Sequence, residues 1–228
     1  MKKTLYIAAA VIAVMFAASC QKDDVQAVKK GMTLSANVEE TKAIIEKDGS
    51  VWHFSWGTGD VVSVTDPYGT SYDFTYDGTS FKCETAVPAE GEWTAVYPKG
   101  GEPESYANQD GTIASAMAKY YMTSSCTSDG SAKLSMKMNP HAAILKVKYD
   151  PIMPFPGDAE VYFQKAEDAS ATLLGNISDG ETGYFVVPAA DNITFTFDVE
   201  FMSGATETIK KNISAGKVYT RTYYGAGF

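Results

Sequence analysis

The stretch VVSVTDPYGTSYDFTYDG, residues 61–78, decides the fold of this chain. Val61-Val62-Ser63-Val64 and Tyr72-Asp73-Phe74-Thr75-Tyr76 are short runs of β-branched and aromatic residues, the types that fit a half-buried pleated surface. Between them, Asp66-Pro67-Tyr68-Gly69 is a turn signal, and Asp77-Gly78 supplies the next one. Aspartate-glycine between alternating segments marks a tight hairpin, because glycine accepts the positive φ that such a turn requires.

The same grammar extends in both directions. Upstream, Met32–Val38 alternates apolar and polar residues with period two, and Val51–Trp56 leads into a glycine-rich turn before Val61. Downstream, Phe81–Glu84, Trp93–Tyr97, Leu134–Met138, Ala142–Tyr149, Ala159–Phe163, Gly183–Val187, Ile193–Phe201, Thr206–Lys210 and Val218–Tyr224 read as strands. Further Asp-Gly pairs stand at 48–49, 110–111, 129–130 and 179–180. Residues 98–111 are rich in Pro, Gly and acids and read as a long surface loop, and SCTSDGSA, residues 125–132, reads as a second turn-rich stretch. Only Ile113–Tyr121 offers a helix, and its small and aromatic residues suit a strand equally well. Turn signals spaced by about 8–12 residues fit β-sandwiches. The expected fold is all-β, with two sandwich domains over 32–131 and 132–228; a single larger sandwich is the competing arrangement. Trp56 and Val62 are expected in the first core.

Ahead of the strands, Lys2 and Lys3 precede an apolar run from Leu5 to Ala18 that ends in Ala17-Ala18-Ser19-Cys20. A basic start, a short apolar core and small residues before a cut describe a secretory signal peptide over 1–19. The run falls short of the roughly 20 apolar residues of a membrane-spanning helix. Small residues directly before a cysteine resemble the bacterial lipobox, in which Cys20 is diacylated and becomes the mature N-terminus. Gln21-Lys22-Asp23-Asp24 resembles the charged tag that sends lipoproteins of some anaerobes to the cell surface. Residues 20–31 then form a polar tether between lipid and fold. An ordinary secreted protein is the competing reading.

The chain carries 19 basic and 28 acidic residues, and loss of residues 1–19 moves the net charge from −9 to about −11. Nucleic-acid binding rests on phosphate neutralisation by Lys and Arg, so this balance excludes a nucleic-acid partner. With Cys20 assigned to lipid, Cys83 and Cys126 remain. An export compartment permits a bond between them, and two buried free thiols are the alternative.

No constellation for catalysis stands out. His53 sits between Trp52 and Phe54 on a strand and is expected to face solvent, and His141 follows Asn139-Pro140 at a strand entrance. No His/Cys spacing fits zinc, and no Ser-centred elbow or phosphate loop appears. None of the Asp-Gly turns carries the D-x-D pattern of a calcium loop. An enzyme, a metal and a cofactor are therefore not expected. Trp52, Trp56, Trp93 and the tyrosines could form a stacking platform for sugars, but aromatics at alternate positions more often fill a core.

Several segments together resemble one family. Thr41-Lys42, then Trp56 followed by Gly59-Asp60-Val61-Val62-Ser63-Val64, is similar to the T-[KR]…W-x-x-G-D-x-[IV]-x-V pattern of fimbrillin-like lipoproteins. Trp93-Thr94-Ala95-Val96-Tyr97-Pro98 resembles that family's Y-x-A-x-Y-P strand. Gln109, Tyr121-Met122 and Leu134 to Val147 resemble the stretch entering its second domain, and Tyr184–Pro188 and Ala215–Tyr219 match later strands. The resemblance implies two tandem transthyretin-like Greek-key β-sandwiches, an outer-membrane lipid anchor, and a role in a type V pilus or in adhesion. It also implies partnership with other pilus subunits by donor-strand exchange, after a trypsin-like protease removes the N-terminal strand. The chain departs from the pattern in being short and in having Arg221 as its only arginine. Arginine-directed removal of the first strand is then ruled out, while Lys29, Lys30 and Lys42 leave lysine-directed cutting open. A permanently anchored or stand-alone subunit is favoured over a stalk pilin. The alternative reading is a glycan-binding accessory lipoprotein of an outer-membrane uptake system.

Overall fold

The computed structural model describes residues 31–38, 43–44, 51–52, 55–151, 157–199 and 206–225. The signal peptide, Cys20, nearly all of the tether, Lys42 and His53 lie outside the described residues. The first strands are β1 (Met32–Val38), β2 (Ala43–Ile44), β3 (Val51–Trp52), β4 (Val61–Thr65), β5 (Ser71–Tyr76), β6 (Phe81–Cys83) and β7 (Glu90–Tyr97). A short helix α1 (Ile113–Lys119) leads to β8 (Met122–Asp129), β9 (Lys133–Pro140) and β10 (Ala142–Tyr149). The rest comprises β11 (Ala159–Gln164), β12 (Thr172–Ile177), β13 (Thr182–Pro188), β14 (Ala190–Val199), β15 (Glu207–Ile213) and β16 (Val218–Tyr223). The described residues are all-β apart from α1.

The first set of strands closes into a seven-stranded barrel in the order β1-β6-β5-β4-β7-β8-β9, where a two-sheet sandwich was expected. Closure is the work of β1. It pairs antiparallel with β6 (Leu34 opposite Phe81) and parallel with β9 (Leu34 opposite Leu134), so it joins what would otherwise be two open edges. The second set forms two sheets, β13-β10-β16 and β12-β11-β14-β15. Their inner faces enclose a core, as in a sandwich.

Local chemistry explains most of these elements. At the β4–β5 turn, the Asp66 carboxylate accepts from the Tyr68 and Thr70 amides, each at 2.8 Å, and fixes the loop at the register Thr65 opposite Ser71. Gly78 and Gly130 adopt positive φ at the turns between β5 and β6 and between β8 and β9. Asp110-Gly111, in contrast, is no hairpin: the Asp110 carboxylate accepts from the Thr112 amide and hydroxyl and leads the chain into α1. Asp179-Gly180 links β12 to β13, which belong to different sheets. Ile113–Lys119 is a helix because Thr112 caps it, accepting from the Ser115 amide at 3.1 Å, and because Ala114, Ala116 and Ala118 cost little helical order.

Two of the longer strands lay hidden in the sequence, as did the two-residue β2. β8 falls largely in the segment read as turns, because its inward positions include Ser124 and Ser128, both buried. The Ser124 hydroxyl is satisfied by the Lys137 carbonyl at 2.7 Å. β12 has adjacent leucines and Gly175 instead of clean alternation.

Buried apolar residues gather in two clusters. The first fills the barrel and includes Leu34, Val62, Val64, Phe74, Phe81, Trp93, Met122 and Met138; the second fills the sandwich with Val147, Tyr149, Val161, Phe185, Ile193, Phe197 and Tyr223. The two share a wall. In β13, Val186 belongs to the barrel cluster while Phe185 and Val187 belong to the sandwich, so the strand is buried on both faces. In β10, Ala142 and Ile144 likewise face the barrel, and Ala143 and Leu145 the sandwich. Cys83 and Cys126 are both free thiols.

Candidate assembly interface

The first strand is held in the barrel by two neighbouring strands and one loop residue. β1 presents Met32, Leu34 and Ala36 to the barrel core, all buried, while Ser35 and Asn37 point out. Its two neighbours hold it unequally. β6 pairs with it only from Met32 to Leu34, whereas β9 runs beside it from Thr33 to Val38. Beyond Leu34, the side toward β6 is taken over by Trp56, whose indole Nε1–H donates to the Ala36 carbonyl at 2.7 Å. The Trp56 ring meets Phe81 edge-on at 4.9 Å and Tyr97 at 5.1 Å. Val62 is fully buried as expected, while Trp56 is half-buried and acts as a clasp on β1 from the loop ahead of β4. Nothing in strand periodicity marks that role, since residues 55–60 are not a strand.

The other end of the chain closes its own sandwich. β16 runs parallel to β10, with Val218 opposite Ile144 and Tyr223 opposite Tyr149. Tyr223 is buried and stacks on Tyr149 at 5.6 Å. The only arginine of the chain, Arg221, pairs with Glu207 of β15 and so ties the two sheets together. β2 lies against β16. At the outer edge, β15 carries exposed Lys210 and Lys211, the kind of charge that discourages edge-to-edge pairing.

The remaining sequence candidates do not converge. The exposed His141 ring hydrogen-bonds the Thr123 hydroxyl at 2.6 Å and lies on Tyr121 at 5.1 Å, which suits a turn between β9 and β10. Among the described residues, no group of His, Cys, Asp and Glu gathers as metal ligands would. An open cleft of about 320 Å³ between the start of α1 and the β12–β13 turn is lined by Asp110, Thr112, Asn176, Ser178, Glu181 and Tyr184. The Thr112 hydroxyl and amide hold the Asp110 carboxyl below its ordinary range and keep it engaged as a turn former. Tyr68 is the most exposed large aromatic described, at the tip of the β4–β5 turn.

Comparison with solved structures places the fold. The chain is similar to a fimbrial protein from Bacteroides ovatus, with 15% identity and a TM-score of 0.54, over 87% of this chain and 50% of that one. The chain thus spans about half the length of that protein. It is also similar to a putative cell adhesion protein from Bacteroides uniformis, with 15% identity and a TM-score of 0.53, over 86% of this chain and 93% of that one. No protein-family model matches the chain, and no curated protein matches it. At this identity the likeness is one of fold.

Proposed function

We propose that the chain is a fimbrillin-like cell-surface lipoprotein, held in the outer membrane by a lipid on Cys20, which serves as an anchoring or accessory component of a type V pilus in adhesion. The observation that carries this reading is the position of β1. A first strand that alone joins β6 to β9 fills the groove its own removal would open, as a strand-exchange subunit requires. The fold shared with a fimbrial and a cell adhesion protein supports it, as does the lipobox-like Ala17-Ala18-Ser19-Cys20. The two cores are read as two domains that meet within β10, with the barrel in place of the first transthyretin-like sandwich.

The absence of any arginine before Arg221 favours a subunit whose first strand stays in place. Purified protein without its lipid is then monomeric, because its groove is already filled. Limited trypsin cleavage at Lys42 cuts behind β1 and frees that strand to leave. Size-exclusion chromatography before and after cleavage tests the reading, with polymers expected only afterwards. Strand-linked polymers before cleavage would restore a stalk role, and a cleaved protein that stays monomeric under dissociating conditions would remove the strand-exchange reading.

A further inference from the structure

Residues 106–111 leave the barrel after β7, cross onto the sandwich, and return through α1 to β8. Along the way their irregular backbone, with Asn108 at positive φ, hydrogen-bonds to strands on both sides. The Asn108 amide donates to the Leu173 carbonyl at 3.1 Å and the Gln109 amide to the Leu174 carbonyl at 2.6 Å, both on β12. On the other side, the Gly111 carbonyl accepts from the Tyr184 amide of β13 at 2.8 Å. β12 and β13 are outer strands of different sheets and do not pair with each other, so this segment is the seam between them.

Gln109 is the centre of the seam and is almost fully buried, at 3% exposure. Its Oε1 accepts from the Val186 amide at 2.8 Å, and its Nε2 donates to the Val186 carbonyl at 2.9 Å and to the Tyr106 carbonyl at 2.8 Å. The amide therefore does for β13 what a neighbouring strand would do, and leaves no outer edge there to take another chain. The fit is close. A β-carbon at Gly175 would collide with the Gln109 carbonyl. Tyr106 packs against both cores and meets Phe163 edge-on at 6.5 Å. Lys119 at the end of α1 donates to the Ser105 carbonyl at 2.5 Å and closes the loop at its base.

We propose that residues 106–111 are a lock that joins barrel and sandwich into one cooperative body. The chain passes from barrel to sandwich between β9 and β10. The strap is a second crossing, and its ends are anchored in β7 and α1 of the barrel's own connection. Loosening either body must strip buried main-chain hydrogen bonds from the other, which is what couples their unfolding. The inference is independent of the pilus reading, since it concerns only how the two cores are held.

The test is equilibrium denaturation of the full chain read by two probes. In a Trp52→Phe background, which removes the third tryptophan, Trp56 and Trp93 fluorescence reports the barrel, and amide hydrogen exchange of β11 and β14 reports the sandwich. Wild type is expected to show one common midpoint. Gln109→Ala is expected to separate the two, with exchange in β12 and β13 rising at least tenfold while the tryptophan transition stays single. Gln109→Glu, which keeps the acceptor for the Val186 amide and loses the donor, is expected to fall between. A wild type that already melts in two steps would overturn the lock, and so would a Gln109→Ala variant whose probes shift together. If Gln109→Ala does not fold, native-state exchange of the wild type decides. Barrel strands β4 and β7 and sandwich strands β11 and β14 should merge into one opening reaction as denaturant rises, and separate openings would refute the coupling.

Discussion

The side-chain amide of Gln109 holds both main-chain groups of Val186, a residue 77 positions further along the chain. One buried side chain supplies a donor and an acceptor in the spacing of a peptide group, so the outer side of β13 is satisfied without a further strand. Val186 in turn points its side chain into the barrel core while its flanks, Phe185 and Val187, point into the sandwich. The contact therefore sits where the two bodies meet, and substitutions around it test the whole arrangement.

Gly175→Ala should be among the costlier conservative changes in the chain. A methyl there meets the Gln109 carbonyl and comes within 2.8 Å of the Phe185 ring, and a backbone carbonyl cannot swing aside as a flexible side chain would. Overpacking of this kind costs about 1–3 kcal/mol. Urea midpoints of variant and wild type measure it, and equal midpoints would show that the strap does not lie against β12.

Trp56→Ala should destabilise the barrel by roughly 3 kcal/mol, the lower end for truncating a large aromatic, since the ring is only half-buried. Trp56→Phe keeps ring contacts with Phe81 and Tyr97 and loses the bond to the Ala36 carbonyl, at a cost of about 1 kcal/mol. Hydrogen exchange of the β1 amides should rise in both variants. If β1 stays as protected as in wild type, the clasp on the first strand is not real.

Stability should fall steeply in alkali. Burial pushes the hydroxyls of Tyr97, Tyr120 and Tyr223 up to about 12, helped by Asp60 at Tyr97 and by Asp198 and Tyr149 at Tyr223. In the unfolded chain a tyrosine ionises near about 10. Because the folded value is the raised one, the contribution is complete below pH of about 10 and is lost as pH climbs toward 12. Urea unfolding across that range, with tyrosinate absorbance as a second readout, checks the sign. Tyr97→Phe should flatten part of the slope, and a flat profile in wild type would contradict the burial of these rings.

Cys20→Ala should move the protein from the membrane fraction to the soluble one. The basis is the run Ala17-Ala18-Ser19-Cys20 behind a basic, apolar leader. Mass spectrometry of the mature N-terminus gives the direct readout. An unmodified N-terminus elsewhere, with membrane association intact, would overturn the anchor.

The strands that alternate strictly, such as Met32–Val38 and Ser71–Tyr76, were legible because their burial follows from side-chain direction alone. β8 was not, because a serine can occupy an inward position once Lys137 supplies its hydrogen-bond partner from the next strand. Ile113–Lys119 stood open between helix and strand until Thr112 could be seen as its cap. Two of the five Asp-Gly pairs made the expected hairpins, at 77–78 and 129–130, two did not, and 48–49 lies outside the described residues. The dipeptide sets a local bend and has no power over what the flanking segments pair with. Gln109 carried no local signal of its role, as one polar residue in a long polar loop.

From the residues alone come the all-β class, many of the places where the chain must turn, and the excess of acidic over basic residues. These depend on interactions within a few residues of each other: side chains that alternate, glycines that accept positive φ, charges that sum. The barrel closure by β1, the clasp of Trp56 on Ala36 and the grip of Gln109 on Val186 belong to the tertiary structure. Each joins segments separated by 20 residues or more along the chain. Such pairings are chosen by which edges remain unsatisfied once the local strands have formed, and that competition is settled only when the whole chain packs.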